Sequence, residues 1–418
     1  MPKSTLASID WLTVLLFLLL VGFGWMNIYS ASLEESNSFS IFDFTQVYSR
    51  QALFILLSVA LIVITQAIEA KFYERFAGLI YIISLLSLLG LFVFGKTISG
   101  ATSWYSFGSF SLQPSEFAKV ATSLALAKFL SEMQTNIGLL KDQAKAFLII
   151  ALPALFIIPQ PDPGSALVYA AFFFPLYREG LAAIYLIILF AAAFLFIATL
   201  IFNPIIVITT IAIVMIVILF KKRKQKPKIR YYLLSLIFVA GFCYSVNYIF
   251  NNVFEQRHRD RFNIVLGKEV DTKGIGYNTN QSEIAIGSGG WTGKGWKEGT
   301  QTKGGFVPEQ HTDYIFSTVG EEWGFLGASL IVILFILLLL RILQLAERQK
   351  TIFSRVYGYS VAGILFTHFA INIGMVTGLL PTIGIPLPFF SYGGSGLWGF
   401  TLLLFIFIKL DANRVNEW

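Results

Sequence analysis

The chain is poor in charge, cysteine and histidine. Lys, Arg, Asp and Glu make up 13% of its 418 residues, and there are one cysteine, Cys243, and three histidines. A single cysteine excludes an internal disulfide and any multi-cysteine metal site, and with them most redox chemistry. So little charge excludes an ordinary soluble protein, in which about a quarter of residues are charged. The length would suit two or three soluble domains, but the composition overrules that count.

What is present instead is apolar. Hydrophobic residues make up 56% of the chain and the mean hydropathy is +0.71. Runs of 16 to 22 apolar residues recur, each long enough to cross roughly 30 Å of hydrocarbon as a helix. They predict spans near 11–29, 51–68, 76–95, 115–131, 145–159, 165–180, 181–201, 205–220, 231–250, 315–340, 359–381 and 396–410. The expected fold is an all-α polytopic membrane protein of about 12 transmembrane helices, a single integral membrane domain over 1–418. The segment 160–180 also admits a partly re-entrant reading. The first run, Trp11 to Tyr29, lacks a small-residue cleavage site and reads as a retained helix.

Basic residues set the orientation. With a cytoplasmic N-terminus, the cytoplasmic segments hold Lys3, Lys71, Arg75, Lys141, Lys145, Arg178, the run "KKRKQKPKIR" (221–230), Arg341, Arg348, Lys350, Arg355, Lys409 and Arg414. The short loops on the other side hold only Lys96. Both termini are therefore expected in the cytoplasm, and the net charge of +7 is mainly a topology signal. The run 221–230 reads as a cytoplasmic anchor, and no nucleic-acid partner is expected.

The same count puts the long loop 251–314 outside the cytoplasm, against the positive-inside trend. It carries Arg257, Arg259, Arg261, Lys268, Lys273, Lys294, Lys297 and Lys303. An anionic ligand such as a phosphate would explain them. So would the indifference of long loops to charge. "GSGGWTGKG" (287–295) resembles a phosphate loop but fails the Walker spacing, and close backbone packing accounts for its glycines.

Other polar breaks fall on the same side. "SLQPSEFAK" (111–119) opens a helix with Ser115 as the expected N-cap, and places Glu116 and Lys119 on one face. Such charges must pair or line a wet cavity. "PQPDPGSA" (159–166) puts Asp162 at the boundary. "NIGMVTGLLPTIGIPLPFFSYGGSG" (372–396) is irregular backbone that needs protein or water around it. "FVPEQHTDYIF" (306–316) ends the long loop. There Thr312 or Asp313 caps the helix beginning near Tyr314, or Asp313 acts as a general base. Glu309, His311 and Asp313 around a divalent cation is a third, weaker pattern. His258 and His368 read as ordinary loop and packing residues.

"QPSEFAK", "QPDPGSA", "QSEIAIGSGGWTGKGWKEGTQ", "PEQHTDYIFSTVGEEWGFLG" and "GIPLPFFSYGGSG" together resemble the SEDS family (shape, elongation, division and sporulation), in the family's order over nearly the whole chain. The run before "HTD" is more similar to its elongation branch, RodA, than to its division branch, FtsW. The resemblance implies a peptidoglycan glycosyltransferase that polymerises lipid II in the bacterial inner (cytoplasmic) membrane, with its active site extracytoplasmic. It implies a class B penicillin-binding protein and other elongation-complex membrane proteins as partners. It makes Asp313 the essential acid and puts the family's Glu/Lys pair on Glu116 and Lys119; the need to bind the donor and steady its departing diphosphate adds Asp162, Arg257, Arg259, Arg261, Lys294, Glu309 and His311 as candidate substrate-binding residues. No nucleotide cofactor is needed, because the donor carries its own diphosphate. A divalent cation, magnesium or manganese, stays open as an aid to that leaving group.

The chain departs from the family pattern in three places. "GATSW" puts Ser103 where the family has an arginine, and Pro163 follows Asp162 where an apolar residue is usual. An inserted helix pair with a basic loop is expected at 201–230, on a ten-helix family core. Two competing functions use the same residues: a lipid-linked precursor flippase or ion-coupled transporter, and a scaffold without catalysis.

Overall fold

The computed structural model describes residues 8–32, 42–98, 100–108, 110–225, 228–254, 256–266 and 276–416, apart from the side chains of Arg257 and His258. The chain is helical, with helices α1 (Trp11–Ala31), α2 (Val47–Ala67), α3 (Ala70–Phe94), α4 (Pro114–Ser131), α5 (Leu140–Ile157), α6 (Pro163–Leu167) and α7 (Phe173–Arg178). They continue as α8 (Ile184–Ile201), α9 (Pro204–Lys221), α10 (Ile229–Asn252), α11 (Gln256–Val265), α12 (Tyr277–Ser288), α13 (Thr300–Lys303), α14 (Ile315–Glu347), α15 (Ile352–Val376) and α16 (Gly394–Asn413). Among the described residues, nine helices are long and apolar enough to cross a membrane: α1, α2, α3, α8, α9, α10, α14, α15 and α16.

Three differences from the expected elements have local causes. The loop 96–114 folds into a three-stranded antiparallel sheet of β1 (Lys96–Ile98), β2 (Ala101–Phe107) and β3 (Phe110–Leu112), turned at Gly100 and Gly108 in left-handed conformation. The span expected at 165–180 is broken into α6, a 3-10 turn (Val168–Phe172) and α7, with Pro163 at the first position of α6. The basic stretch expected between two inserted helices lies between α9 and α10, and of these only α9 falls wholly within 201–230. Asn203 caps it by accepting from the Ile205 amide (3.0 Å).

Contacts divide the chain into two units, 1–181 with 278–418, and 182–277. In the larger unit α4 is the axis. It packs against α3, α5, α15 and α16 and buries nearly every side chain, polar ones included. A helix apolar on all sides would need no partners for such groups. This one carries Glu116, Lys119, Thr122 and Ser123 inward, so its neighbours must satisfy them. Gly399 of α16 makes that approach feasible, since a Cβ there would stand 3.0 Å from the Glu116 Cβ. The smaller unit is built around Leu200, Val246 and Phe250, packed by Phe196, Phe242, Phe254 and Phe262. Cys243 is buried there as a free thiol.

Candidate active site

The "HTD" segment is a turn, and the N-cap position of the following helix falls on neither Thr312 nor Asp313. α14 begins at Ile315, its N-cap position is Tyr314, and that residue makes no side-chain cap bond. Thr312 spends its hydroxyl on Glu309, donating to the main-chain oxygen (3.2 Å) and to the carboxylate (3.0 Å). Glu309 itself holds left-handed backbone (φ 53°), and its carbonyl accepts the amides of Thr312 and Tyr314. Such backbone is rare in a residue with a side chain and persists only where surroundings fix it.

What fixes this turn comes from three other segments. Asn372 of α15, fully buried, donates both hydrogens of its amide: one to the Asp313 carbonyl (2.8 Å), one to the Ile385 carbonyl (2.7 Å). The Tyr392 amide donates to the His311 carbonyl (2.9 Å). Tyr314, Thr382 and Thr279 of α12 join their hydroxyls in a triangle of 2.7 to 3.2 Å. The proline-rich stretch 381–392 is thereby stitched to the turn. A Cβ added at Gly384 (φ 78°) would lie 3.4 Å from Asp313 Oδ2, so this loop runs directly beside the carboxylate. Asp313 and His311 are both partly buried. Burial lowers the His311 pKa below its ordinary 6.5, Glu309 opposes the shift and Arg50 adds to it, so the ring is neutral at pH 7.

That shift has a consequence for stability. Between pH 6.5 and the lowered value, the unfolded chain binds a proton at position 311 that the folded chain does not, so the folded state weakens as pH falls through that window. His311→Gln is expected to flatten part of the fall in thermal midpoint below pH 6.5, read by a melt at each pH. An unchanged slope would show that this histidine is not the titrating group.

Glu116 and Lys119 do pair, deep in the larger unit. The ammonium donates to both carboxylate oxygens at 2.8 Å, with the two residues 4% and 2% exposed. The third partner was not legible as such. His368 Nε2 stands 2.9 Å from Lys119 Nζ, and its Nδ1 lies 3.2 Å from the Pro386 carbonyl. Lysine has no acceptor and a carbonyl no donor, so His368 is the neutral tautomer with hydrogen on Nδ1. The ion pair is thus coupled through a histidine to the same loop that flanks Asp313.

Several candidate ligands prove to be occupied. Asp162 caps α6, accepting from the Ser165 amide (3.0 Å) and hydroxyl (2.8 Å), and also takes a hydrogen bond from Gln113 (3.1 Å). Ser115 is not the N-cap of α4. Pro114 takes the first helical position, so Gln113 stands at the cap and Ser115 turns its hydroxyl to Ser165 (3.4 Å). Lys294 donates to Glu321 (2.7 Å), a fully buried carboxylate that also gathers the amides of Thr300, Gln301 and Thr302 at 2.8–2.9 Å. It is a structural clamp of the loop. Ser103 is buried, and its hydroxyl finds no hydrogen-bond partner, cationic or otherwise, among the described residues.

The glycine-rich stretch has a structural role as well. Gly324 breaks α14 with φ 62° and ψ −160°. The two helical bonds lost there, from Phe325 to Glu321 and from Leu326 to Glu322, are each replaced twice. Lys294 and Gly295 donate to the carbonyls of Glu321 and Glu322 (both 3.0 Å), while Phe325 and Leu326 donate to Gly290 (2.9 Å) and Trp291 (3.1 Å). A Cβ at Gly293 would sit 2.1 Å from the Glu322 oxygen, on backbone of φ 81°. Gly293→Ala is therefore expected to cost several kcal/mol and most of the folded yield. Gly287→Ala, with nothing within 4 Å of the new carbon, should be neutral or gain about 0.5–1 kcal/mol. Detergent-solubilised yield and thermal midpoint check both, and equal behaviour of the two variants would contradict the packing.

Of the arginines in the long loop, Arg257 has its side chain outside the described residues. Arg259 lies in the smaller unit, where it donates to the Asn251 carbonyl (2.6 Å) and Gln256 (2.7 Å) and keeps a buried Nε without a partner. It lines a cavity of about 520 Å³ with Asn203, Asn247, Asn251 and Asn263. Arg261 also lies in α11.

The buried charges, the irregular loops stitched to a carboxylate and the broken helices define a membrane protein with a polar site at one end of its helices. A family model described as "Cell cycle protein" (FtsW/RodA/SpoVE) matches residues 10–416, and the chain belongs to this family. It is 33% identical to the peptidoglycan glycosyltransferase MrdB of Escherichia coli K12 over 344 residues, covering 82% of this chain and 80% of that one. It is 30% identical to the peptidoglycan glycosyltransferase RodA of Treponema pallidum, covering 98% and 99%. A chain from a solved peptidoglycan synthase complex superposes with a TM-score of 0.72 at 25% identity, covering 98% and 99%. The crystal structure of Thermus thermophilus RodA does so at 0.63 and 24%, which speaks for the fold, covering 97% of each chain.

Proposed function

We infer that this chain is a peptidoglycan glycosyltransferase of the elongation type, which polymerises lipid II into glycan strands. The observation that carries the reading is the placement of Asp313: a partly buried carboxylate, one residue ahead of the helix cap, in a turn held by Asn372, Tyr392 and Thr382. Asp313 takes the proton of the acceptor hydroxyl as the new glycosidic bond forms at the donor's anomeric carbon. The bond from that carbon to the phosphate oxygen breaks, and its electron pair leaves with the undecaprenyl diphosphate. A general base supplies about 10²–10⁴-fold to such a step.

The donor's own diphosphate leaves no need for a nucleotide. Among the described residues no three His, Cys, Asp or Glu side chains form a metal-holding group. A magnesium or manganese ion would be held by one carboxylate, Asp313 or Glu309, and by the diphosphate oxygens, the arrangement magnesium prefers at phosphates. Its chemistry would be to neutralise charge on the leaving group. The orientation follows from the basic residues: both termini in the cytoplasm, the Asp313 turn outside, in the bacterial inner membrane. The partner is a class B penicillin-binding protein, in keeping with the pairing of polymerization and crosslinking in the solved complex.

The test is polymerisation of purified lipid II by the chain together with that partner, its transpeptidase blocked by a β-lactam. Glycan strands support the reading. Their absence from an intact complex, where a sister protein succeeds, transfers the case to a transporter or scaffold.

A further inference from the structure

A cation in a partly buried position normally has an anion against it. Lys119 has Glu116 and Lys294 has Glu321. Arg50, in the first turn of α2, has none. It is partly buried, it makes one hydrogen bond, to the Thr45 carbonyl (3.2 Å), and it forms no ion pair among the described residues. Its Nε is buried without a partner. Most of its five donors, a planar fork that matches phosphate oxygens, are unspent.

Arg50 also stands beside the Asp313 turn. Gln51, the next residue, accepts the Gly393 amide (3.1 Å), and the Tyr392 amide holds the His311 carbonyl (2.9 Å). The rings of Phe54 and Tyr392 lie 6.1 Å apart, and those of Tyr392 and His311 5.6 Å. The start of α2 is thus seated on the turn that carries the candidate base, and the charge of Arg50 is felt at both His311 and Tyr392. Glu309, the acid whose charge also reaches His311, is exposed and bound by Thr312.

We propose that Arg50 binds the diphosphate of the lipid-linked donor, two oxygens on its fork, and so supplies a cation to the leaving group. The proposal rests on the polymerase reading for the identity of the anion. As the bond from sugar to phosphate breaks, negative charge grows on the departing oxygens and the charge-assisted bonds strengthen.

Two measurements test it on the chain in complex with its partner. In the first, Arg50→Met is expected to lower kcat/KM for lipid II by about 10²-fold, with Arg50→Lys recovering part, since lysine keeps the charge and loses the fork. In the second, inorganic pyrophosphate is the probe: it should raise the thermal midpoint of the wild type and not that of Arg50→Met. If Arg50→Met does not fold, Arg50→Gln takes its place in both. Wild-type kcat/KM together with an unchanged pyrophosphate shift in the neutral variant would overturn the proposal. The pyrophosphate arm needs no turnover, so it judges Arg50 even if polymerisation fails. Wild-type activity in Asp313→Asn would instead sink the base assignment and leave the Arg50 result standing.

Discussion

Asparagine at position 313 is expected to lower the rate of glycan polymerisation by about 10²–10⁴-fold while leaving the chain folded. The size of the effect follows from the role: an amide of the same shape cannot accept a proton at neutral pH. That the chain stays folded follows from geometry. The helix cap falls at Tyr314, and the turn is held through the main chain of Asp313, whose carbonyl accepts from Asn372, so the substitution leaves that bond in place. Strand length and initial rate on lipid II, beside a melt of the purified complex, are the measurements. A folded variant that polymerises at the wild-type rate would falsify the general-base assignment. Slow polymerisation with a much lower melting point would point to a structural role for the carboxylate.

Removing Lys119 is expected to have the largest effect on stability. Lys119→Met leaves the Glu116 carboxylate, 4% exposed, without its counter-charge, and strips His368 Nε2 of its donor. Breaking a buried pair in this way costs about 3–5 kcal/mol, because the stranded charge remains desolvated. Glu116→Gln should cost less, since the amide oxygen still accepts from Lys119. The double variant Glu116→Gln/Lys119→Met should recover much of the loss, because neither charge is then buried alone. Unfolding of the four proteins in one detergent gives the coupling. A single Lys119→Met loss under about 1 kcal/mol would mean that water reaches the pair and that the site is wet.

The membrane class was legible because periodicity does not matter to it: apolar length and the bias of Lys and Arg suffice. Glu116 and Lys119 were legible as a pair because they lie three residues apart on one helix. Lys294 and Glu321, 27 residues apart, leave no such trace, and spacing made Lys294 look free. His368 sits alone in an apolar run, where a packing histidine and a networked one look the same. Asn372 opens a stretch that reads as irregular, yet its amide holds two segments of the site together. Arg50 precedes an apolar run and passes for an interfacial anchor, since only the fold brings Tyr392 and His311 to it. Ser115 was misplaced because serine is a strong cap former, but proline at the next position upstream decides where the helix starts. The small sheet at 96–112 was hidden by its shortness.

The break in α14 bears on how the protein is made. Helix α14 cannot settle into the membrane as a finished unit. Two carbonyls and two amides near Gly324 stay unsatisfied until residues 290–295 arrive from the preceding loop, and in hydrocarbon each such group costs several kcal/mol. Insertion of this helix and folding of the chain that precedes it are therefore one event rather than two. During biosynthesis α14 must wait at the aqueous boundary, or pass through the lipid as a straight helix and rearrange once the loop has been delivered. A part of the protein that looks like a soluble appendage is in this sense a component of the transmembrane bundle.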